Sequence, residues 1–133
     1  MARMVVGVAG GSMEKLVVAS TVIGGAVALD LEVDVYLLLG GALAFRRDGE
    51  VPFDHPELKD ELLAGMSRSN VPDPFSLLAR LRAEGTVRIH VCSTAGKIWG
   101  AERLEDFRPL VDDIVGIAEY VSKVQEADVV QVL

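Results

Sequence analysis

The sequence has only one cysteine and two histidines among its 133 residues. A single cysteine excludes an internal disulfide, and so few soft ligands make a structural zinc site improbable, so we expect no metal and no other cofactor. Aromatic residues are also scarce, at 5%, whereas hydrophobic residues reach 50%. The hydrophobic residues are mainly Val, Ala and Leu, a composition typical of a mostly parallel sheet whose two faces are covered by helices.

Basic residues are few, since 13 Lys and Arg against 20 Asp and Glu give a formal net charge of −7. Nucleic acids and anionic membrane surfaces attract basic proteins, so this charge disfavours both partners. The longest apolar run, residues 16–29, is too short to span a bilayer. Ser12, Glu14 and Lys15 interrupt the apolar opening before it reaches the length of a signal peptide core. We therefore expect a cytoplasmic protein without a membrane span.

Hydrophobic periodicity and turn residues predict alternating strands and helices. This alternation favours parallel βαβ units with right-handed crossovers, and the length suits one domain, 1–133. The predicted strands are 3–9, 32–39, 88–92, 114–115 and 128–133. The predicted helices are 12–29 with Ser12 as cap, 74–85 with Asp73 as cap, and a last helix that Gly116 opens, together with a helical turn at 42–46.

The predicted helix 12–29 has almost no polar face, because Val, Ile, Leu and Ala occupy most of its positions. A helix that is apolar all round is buried on more than one side. In so short a chain another subunit is the simplest second cover, so we predict a homo-oligomer with this helix near the interface.

Residues 47–75 are the least regular part, with clustered charges and four of the five prolines. This composition predicts an irregular excursion at the edge of the sheet, with a short helix over 56–66. Asp54, His55 and Glu57 could form a metal or acid–base group, but the neighbouring prolines favour a surface loop. The segment could alternatively close over Cys92 as a lid.

The segment 86–100, TVRIHVCSTAGKIWG, holds the candidate reactive group. A strand runs out at Cys92, and Ser93 or Thr94 could cap a short helix through Trp99. Helix amides at this position favour a thiolate or persulfide anion. Lys97, one turn on, and His90, on the same face of the strand, could add positive charge.

The alternative is that Cys92 is an inert, small buried hydrophobe and His90 a polar residue at a strand edge or interface. The turn Gly10–Gly11–Ser12 offers a further alternative, an anion or nucleotide site at a helix start. The full dinucleotide and Walker spacings are absent, so a plain strand-to-helix turn is favoured there.

Three stretches together resemble the DsrE/TusD-type sulfur-relay family. They are the opening strand, turn and apolar helix; the strand that ends in cysteine with the pattern C-x-x-A-x-x-x-G, in which Gly100 lies one position beyond the commonest spacing; and the tail VGIAEYVSKVQEADVVQVL. The resemblance implies a flavodoxin-like three-layer domain that forms homo- or hetero-oligomers. It also implies that Cys92 carries sulfur as a persulfide between donor and acceptor proteins.

The sequence thus predicts a sulfur carrier that uses Cys92, with His90, Ser93 and Lys97 as supporting residues. Without a second cysteine the sulfur must leave to another molecule, which disfavours internal disulfide chemistry. The competing hypothesis is a non-catalytic oligomeric binding or assembly module in which Cys92 is inert.

Overall fold

The computed structural model describes all residues 1–133, which form one five-stranded sheet in the order β4-β3-β2-β1-β5. Every neighbouring pair of strands is parallel. The strands are β1 (Arg3–Val8), β2 (Glu32–Leu37), β3 (Val87–Cys92), β4 (Asp113–Val115) and β5 (Val129–Val132).

Six α-helices connect the strands: α1 (Met13–Ala28), α2 (Leu39–Ala44), α3 (Lys59–Arg68), α4 (Pro74–Glu84), α5 (Ser93–Ile98) and α6 (Ile117–Glu126). Two 3₁₀ turns, Pro56–Leu58 and Leu104–Asp106, complete the regular structure. None of the helices has the length and apolar character needed to cross a membrane.

One face of the sheet carries the core. Alternate side chains of the three central strands, such as Val6, Val35 and Ile89, belong to a single cluster of 24 buried residues. Successive side chains of a strand point to opposite faces, so every second residue of β1, β2 and β3 faces the core. The cluster includes residues of α1 and α4, which pack side by side.

The opposite face has a thinner cover, because α6 packs there against β1 and contributes no buried residue. Gly7 of β1 makes room for the ring of Tyr120, since an added Cβ would lie 2.8 Å from the Tyr120 hydroxyl. With helices on both faces of a five-stranded parallel sheet, the architecture is a flavodoxin-like three-layer α/β fold, as the sequence predicts.

Local capping explains why the two longest helices begin where they do. Ser12 accepts a hydrogen bond from the Lys15 amide, and Asp73 accepts from the amides of Phe75 and Ser76, with Pro74 in the first turn of α4. These caps satisfy amides that a helix start leaves without partners. Both predicted caps are confirmed.

Several predicted boundaries are wrong. The second strand ends at Leu37 rather than at residue 39, and the helix after it begins at Leu39 rather than at 42. The predicted cap of α5 is also wrong, because the capping position is Cys92 itself and Ser93 is the first helical residue. No side chain caps this helix start. Because β3 ends at Cys92 and α5 begins at Ser93, no separate turn lies between the strand and the helix.

The excursion 47–75 is fastened to the start of α1. The Met13 amide donates to the Pro52 carbonyl at 2.8 Å, and the Ser12 hydroxyl donates to Asp54 at 2.7 Å. Glu14 accepts from the amides of Asp54 and His55. These bonds tie the segment to α1, and none of its residues lines the surface pocket that Cys92 shares with α5, so the segment does not form a lid over Cys92.

The apolar character of α1 has a source within the chain. Leu16, Ala19 and Ile23 are buried in the core, and Val22 and Val27 on its flanks pack against the same cluster. The chain itself therefore covers much of the helix, but Val18 is still 49% exposed. A homo-oligomer with this helix near the interface stays a prediction.

The Gly11 turn provides a stability test, because a Cβ there would lie 2.0 Å from the Gly40 carbonyl oxygen, a backbone atom that cannot rotate away. We expect Gly11→Ala to lower the free energy of unfolding by about 1–3 kcal/mol through overpacking. Urea denaturation followed by circular dichroism measures this change.

Gly25→Ala is the matched control, because Gly25 lies inside α1 and an added Cβ meets no atom within 4 Å. In a helix interior alanine is better than glycine by about 0.5–1 kcal/mol, so this variant should be more stable than the wild type. Equal effects of Gly11→Ala and Gly25→Ala on the free energy of unfolding would contradict the close approach of Gly11 to the Gly40 carbonyl.

Candidate functional site

Cys92 lies where β3 ends and α5 begins, at the carboxyl edge of the sheet. Cys92 is only 7% exposed, yet this residue lines a surface pocket of about 500 Å³. Open α/β sheets place their sites at this edge, because the ends of parallel strands meet there. The other lining residues are Leu38, Leu39, Thr94, Ala95, Ile98 and Ile117.

The pocket is apolar, with a rim of exposed aliphatic side chains. Leu39 is 50% exposed, Ile98 59% and Ile117 49%. A bond from the Trp99 indole N–H to the Leu39 carbonyl, at 2.8 Å, ties the end of α5 to the start of α2 and fixes two walls relative to each other. Cys92 therefore borders a depression that a ligand or a partner can enter.

Helical spacing decides which residues of α5 share the pocket. Thr94, Ala95 and Ile98 line it, and Ile98 is four positions from Thr94 and three from Ala95, which is the spacing of one helix face. Ser93 and Lys97 are not among the lining residues, and Lys97 is exposed without an ion-pair partner. The pocket is thus lined by Thr94 rather than by the predicted Ser93 and Lys97.

His90 is committed to two carboxylates. Its Nε2 lies 2.9 Å from Asp34 Oδ1 and its Nδ1 2.5 Å from Asp113 Oδ1, and its ring stacks on Tyr36 with centroids 4.6 Å apart. Ionised carboxylate oxygens only accept, so these two contacts favour the imidazolium form, in which both ring nitrogens donate. Its charge is opposed by these carboxylates, and His90 does not line the Cys92 pocket.

The cluster around His90 was missed by sequence reasoning and continues through neighbouring strands. Asp34, 3% exposed, also accepts from Arg88 at 3.1 and 3.3 Å. The Tyr36 hydroxyl donates to Glu119 of α6 at 3.1 Å. The signal in the sequence is Asp34 between Val33 and Val35, because a charge inside a buried strand requires a partner.

These contacts shift the pKa values of His90 and Asp34 in opposite directions. Burial lowers the pKa of His90, but its hydrogen bonds to Asp34 and Asp113 outweigh burial, so the pKa is raised. Burial raises the pKa of Asp34, but the bonds from His90 and Arg88 outweigh it, so that pKa is lowered. Burial and nearby Glu119 raise the pKa of Tyr36, which stays a neutral phenol.

The glycine turn offers few free groups to an anion. The Met13 amide is bonded to Pro52 and the Lys15 amide to Ser12, while the carboxylates of Glu14 and Asp54 stand at the same helix start. A plain strand-to-helix turn, as favoured by the sequence, accounts for this geometry.

The surface triplet of the excursion is split. His55 and Glu57 are exposed and 3.3 Å apart, whereas Asp54 turns to Ser12. No three His, Cys, Asp or Glu side chains of the chain are grouped so that they could hold a metal ion.

Two solved structures resemble the whole chain. One is the protein of unknown function MTH1491 from Methanobacterium thermoautotrophicum, with 15% identity, a TM-score of 0.61, and coverage of 98% of this chain and 99% of that one. The other is the ychN protein from E. coli, with 19% identity, a TM-score of 0.58 and full coverage of both chains. At these identities the likeness establishes the fold alone.

No protein-family model matches the sequence, and no curated protein does. The function must therefore be argued from the site.

The His90 cluster makes a prediction about pH. Because the pKa of His90 is raised, its contribution to stability is complete below the unfolded value of about 6.5 and is lost as the pH rises through the folded value. An NMR titration of the His90 ring should give a midpoint above about 6.5. The free energy of unfolding should fall over the same pH range.

Two variants isolate this effect. His90→Gln should be less stable at pH 6 and should lose the fall at higher pH, because no proton is then linked to folding. Asp113→Asn removes one negative charge beside the ring and should lower the His90 midpoint while leaving the Asp34 contact. A wild-type midpoint at or below that of an unfolded histidine would contradict the doubly bonded imidazolium.

Proposed function

We propose that the protein is a sulfur carrier of the DsrE/TusD type, in which Cys92 accepts sulfane sulfur as a persulfide and passes it to a partner protein. The observation that carries this proposal is the position of Cys92 in the lining of an apolar pocket at the carboxyl edge of the sheet. The sequence resemblance of the three stretches adds to it.

The reaction needs no cofactor and no net oxidation. The Cys92 thiolate attacks the outer sulfur of a donor persulfide, R–S–SH; a new S–S bond forms, the donor S–S bond breaks, and R–S⁻ leaves. Cys92 then bears the persulfide, with the sulfane sulfur outermost. An acceptor thiolate attacks this outer sulfur, the acceptor becomes the persulfide, and the Cys92 thiolate is regenerated.

The pocket suits the storage of a sulfane sulfur. Its volume of about 500 Å³ leaves space for one more sulfur, and its walls apart from Thr94 are apolar. Thiol exchange depends on access as well as on the thiolate fraction, and the open mouth provides that access. The supporting residues are Thr94, Ile98 and Leu39, whereas His90 has a structural role in the neighbouring cluster.

The exposed rim is the surface where donor and acceptor proteins would dock. Leu39, Ile98 and Ile117 surround the mouth, so a partner that covers them brings its own thiol to the pocket. Such a carrier would work in the cytoplasm, where thiols remain reduced. It would form a homo-oligomer, and its partners would be proteins rather than nucleic acids or membranes.

Sulfur loading is tested by incubating the protein with glutathione persulfide under argon and measuring the intact mass after desalting. We expect one added sulfur atom on the wild type and none on Cys92→Ser, because the sequence has no other cysteine. Cyanide should remove the added sulfur as thiocyanate. No adduct above the level of Cys92→Ser would reject the carrier mechanism.

A second candidate function is a non-catalytic assembly module. It is favoured by the low exposure of Cys92, 7%, beside three strongly exposed aliphatic side chains. An inert thiol predicts slow alkylation by iodoacetamide in the folded protein and no loss of function in Cys92→Ser. The apolar rim would then bury itself against a second copy of the chain.

The assembly hypothesis is tested by sedimentation equilibrium of Ile98→Glu. If the rim is a subunit contact, a buried charge there should weaken association by about tenfold or more. Leu104→Glu is the control, because Leu104 is 47% exposed and does not line the pocket. Equal masses for both variants and the wild type would exclude the rim as the subunit contact.

A further inference from the structure

A second concave site lies at the β4 edge of the sheet, between α4 and residues 108–110. It is a groove of about 520 Å³, within the range of small-molecule pockets. Three of its seven lining residues are arginines and none is acidic, although the chain as a whole carries a net charge of −7. The lining residues are Arg47, Phe75, Ala79, Arg82, Arg108, Pro109 and Leu110.

Two of these guanidinium groups are held in place by neutral acceptors. Arg47 donates through Nε to the Glu105 carbonyl at 2.7 Å. Arg108 donates through Nε to the Ala44 carbonyl at 3.2 Å and through Nη2 to the Gly49 carbonyl at 3.1 Å. Backbone carbonyls orient both groups without cancelling their charge.

Neither guanidinium forms a salt bridge, although acidic residues outnumber basic ones in this protein. The remaining N–H groups of Arg47 and Arg108 are left without a carboxylate partner. The arginines that do form salt bridges are Arg3, Arg80, Arg82, Arg88 and Arg103.

Two carboxylates beside the groove, Asp112 and Asp73, are already engaged, whereas Asp48, Glu105 and Asp106 line a neighbouring pocket together with Arg47. Asp112 pairs with Arg82 and accepts from the Ile89 amide. The positive charge of Arg108 contributes to lowering the pKa of Asp73. The oxygens of Asp73, however, already accept hydrogen bonds from the first amides of α4 and from the Ser76 hydroxyl. The Arg82 guanidinium is thus paired with Asp112, but its buried Nε–H has no hydrogen-bond partner.

The rest of the groove is apolar. Phe75 lies under the Arg108 guanidinium, whose central carbon is 3.9 Å from the ring centroid. This stacking fixes the plane of the guanidinium, and Pro109, Leu110 and Ala79 provide aliphatic surface beside it. A site with guanidinium groups on one side and apolar walls on the other suits a ligand that has an anionic group and an apolar body.

We propose that this groove binds a small organic oxyanion, a phosphate or carboxylate carried on an apolar group. The N–H groups of Arg47 and Arg108 that the backbone carbonyls leave free can donate to such an anion, and the apolar walls take its body. The groove shares no lining residue with the Cys92 pocket, so the proposal is independent of sulfur transfer.

The test is a ¹⁵N NMR titration with phenyl phosphate and with inorganic phosphate, at an ionic strength held constant with sodium chloride. We expect saturable shifts centred on Phe75, Ala79 and Leu110. Phenyl phosphate should bind several-fold more tightly than inorganic phosphate, on the order of fivefold, because its ring buries apolar surface. Shifts that stay linear with concentration, or that are spread over the surface, would overturn the proposal.

Ala79→Glu places a competing carboxylate in the groove, and Ala79→Gln gives the same shape without the charge. Ala79 is exposed on α4, so both variants should fold. The glutamate variant should bind phenyl phosphate more weakly by about tenfold, and the glutamine variant by less than about twofold. Equal binding by the two variants would rule out an anion in the groove.

Arg47→Gln and Arg80→Gln separate a local contact from the overall charge. Both remove one positive charge, but Arg80 lies on α4 outside the lining. We expect Arg47→Gln to weaken binding by about tenfold and Arg80→Gln to change it little. An equal loss in the two variants would mean that phosphate responds only to net charge.

Discussion

The parallel register of the three central strands is the constraint on which the rest of the structure depends. Val35 pairs with Ile89, and both lie in the core beneath α1 and α4. Side chains alternate along a strand, so the next pair, Tyr36 and His90, must face the other way. A slip of one residue would turn these polar groups into the core, which buried strands do not tolerate.

That constraint also explains why the second face is polar although much of it is buried. Asp34, Arg88, His90 and Asp113 bring two basic and two acidic side chains together at adjacent positions of three strands. Mutual pairing offsets part of the cost of removing such groups from water. The cluster fastens the short edge strand β4 to the centre of the sheet and leaves the Cys92 pocket without a direct charge.

Local patterns in the sequence predict most of the fold. Ser12 and Asp73 act within three residues of themselves, so their caps can be read from the chain, and the alternation of strands and helices identifies the parallel sheet. Cys92 is also placed correctly at the end of a strand, because that depends on local periodicity. The boundary errors at α2 and α5 arise because strands there pass into helices without an intervening turn.

Contacts between distant parts of the chain account for what the sequence does not predict. His90 meets Asp34 across 56 positions, and this partner removes it from the reactive group that sequence reasoning assigned to it. The excursion docks on α1 through bonds such as Ser12 to Asp54, 42 positions apart. The arginine groove needs α4 and two loops at once, so no single stretch indicates it.

The tryptophan next to the cysteine pocket has a practical consequence. Trp99 is the single indole of the chain, and its N–H is bonded to the carbonyl of Leu39, one of the pocket walls. Any molecule or subunit that displaces this wall changes the polarity around the indole. The natural sequence therefore contains an intrinsic fluorophore that reports events at the pocket mouth without a label.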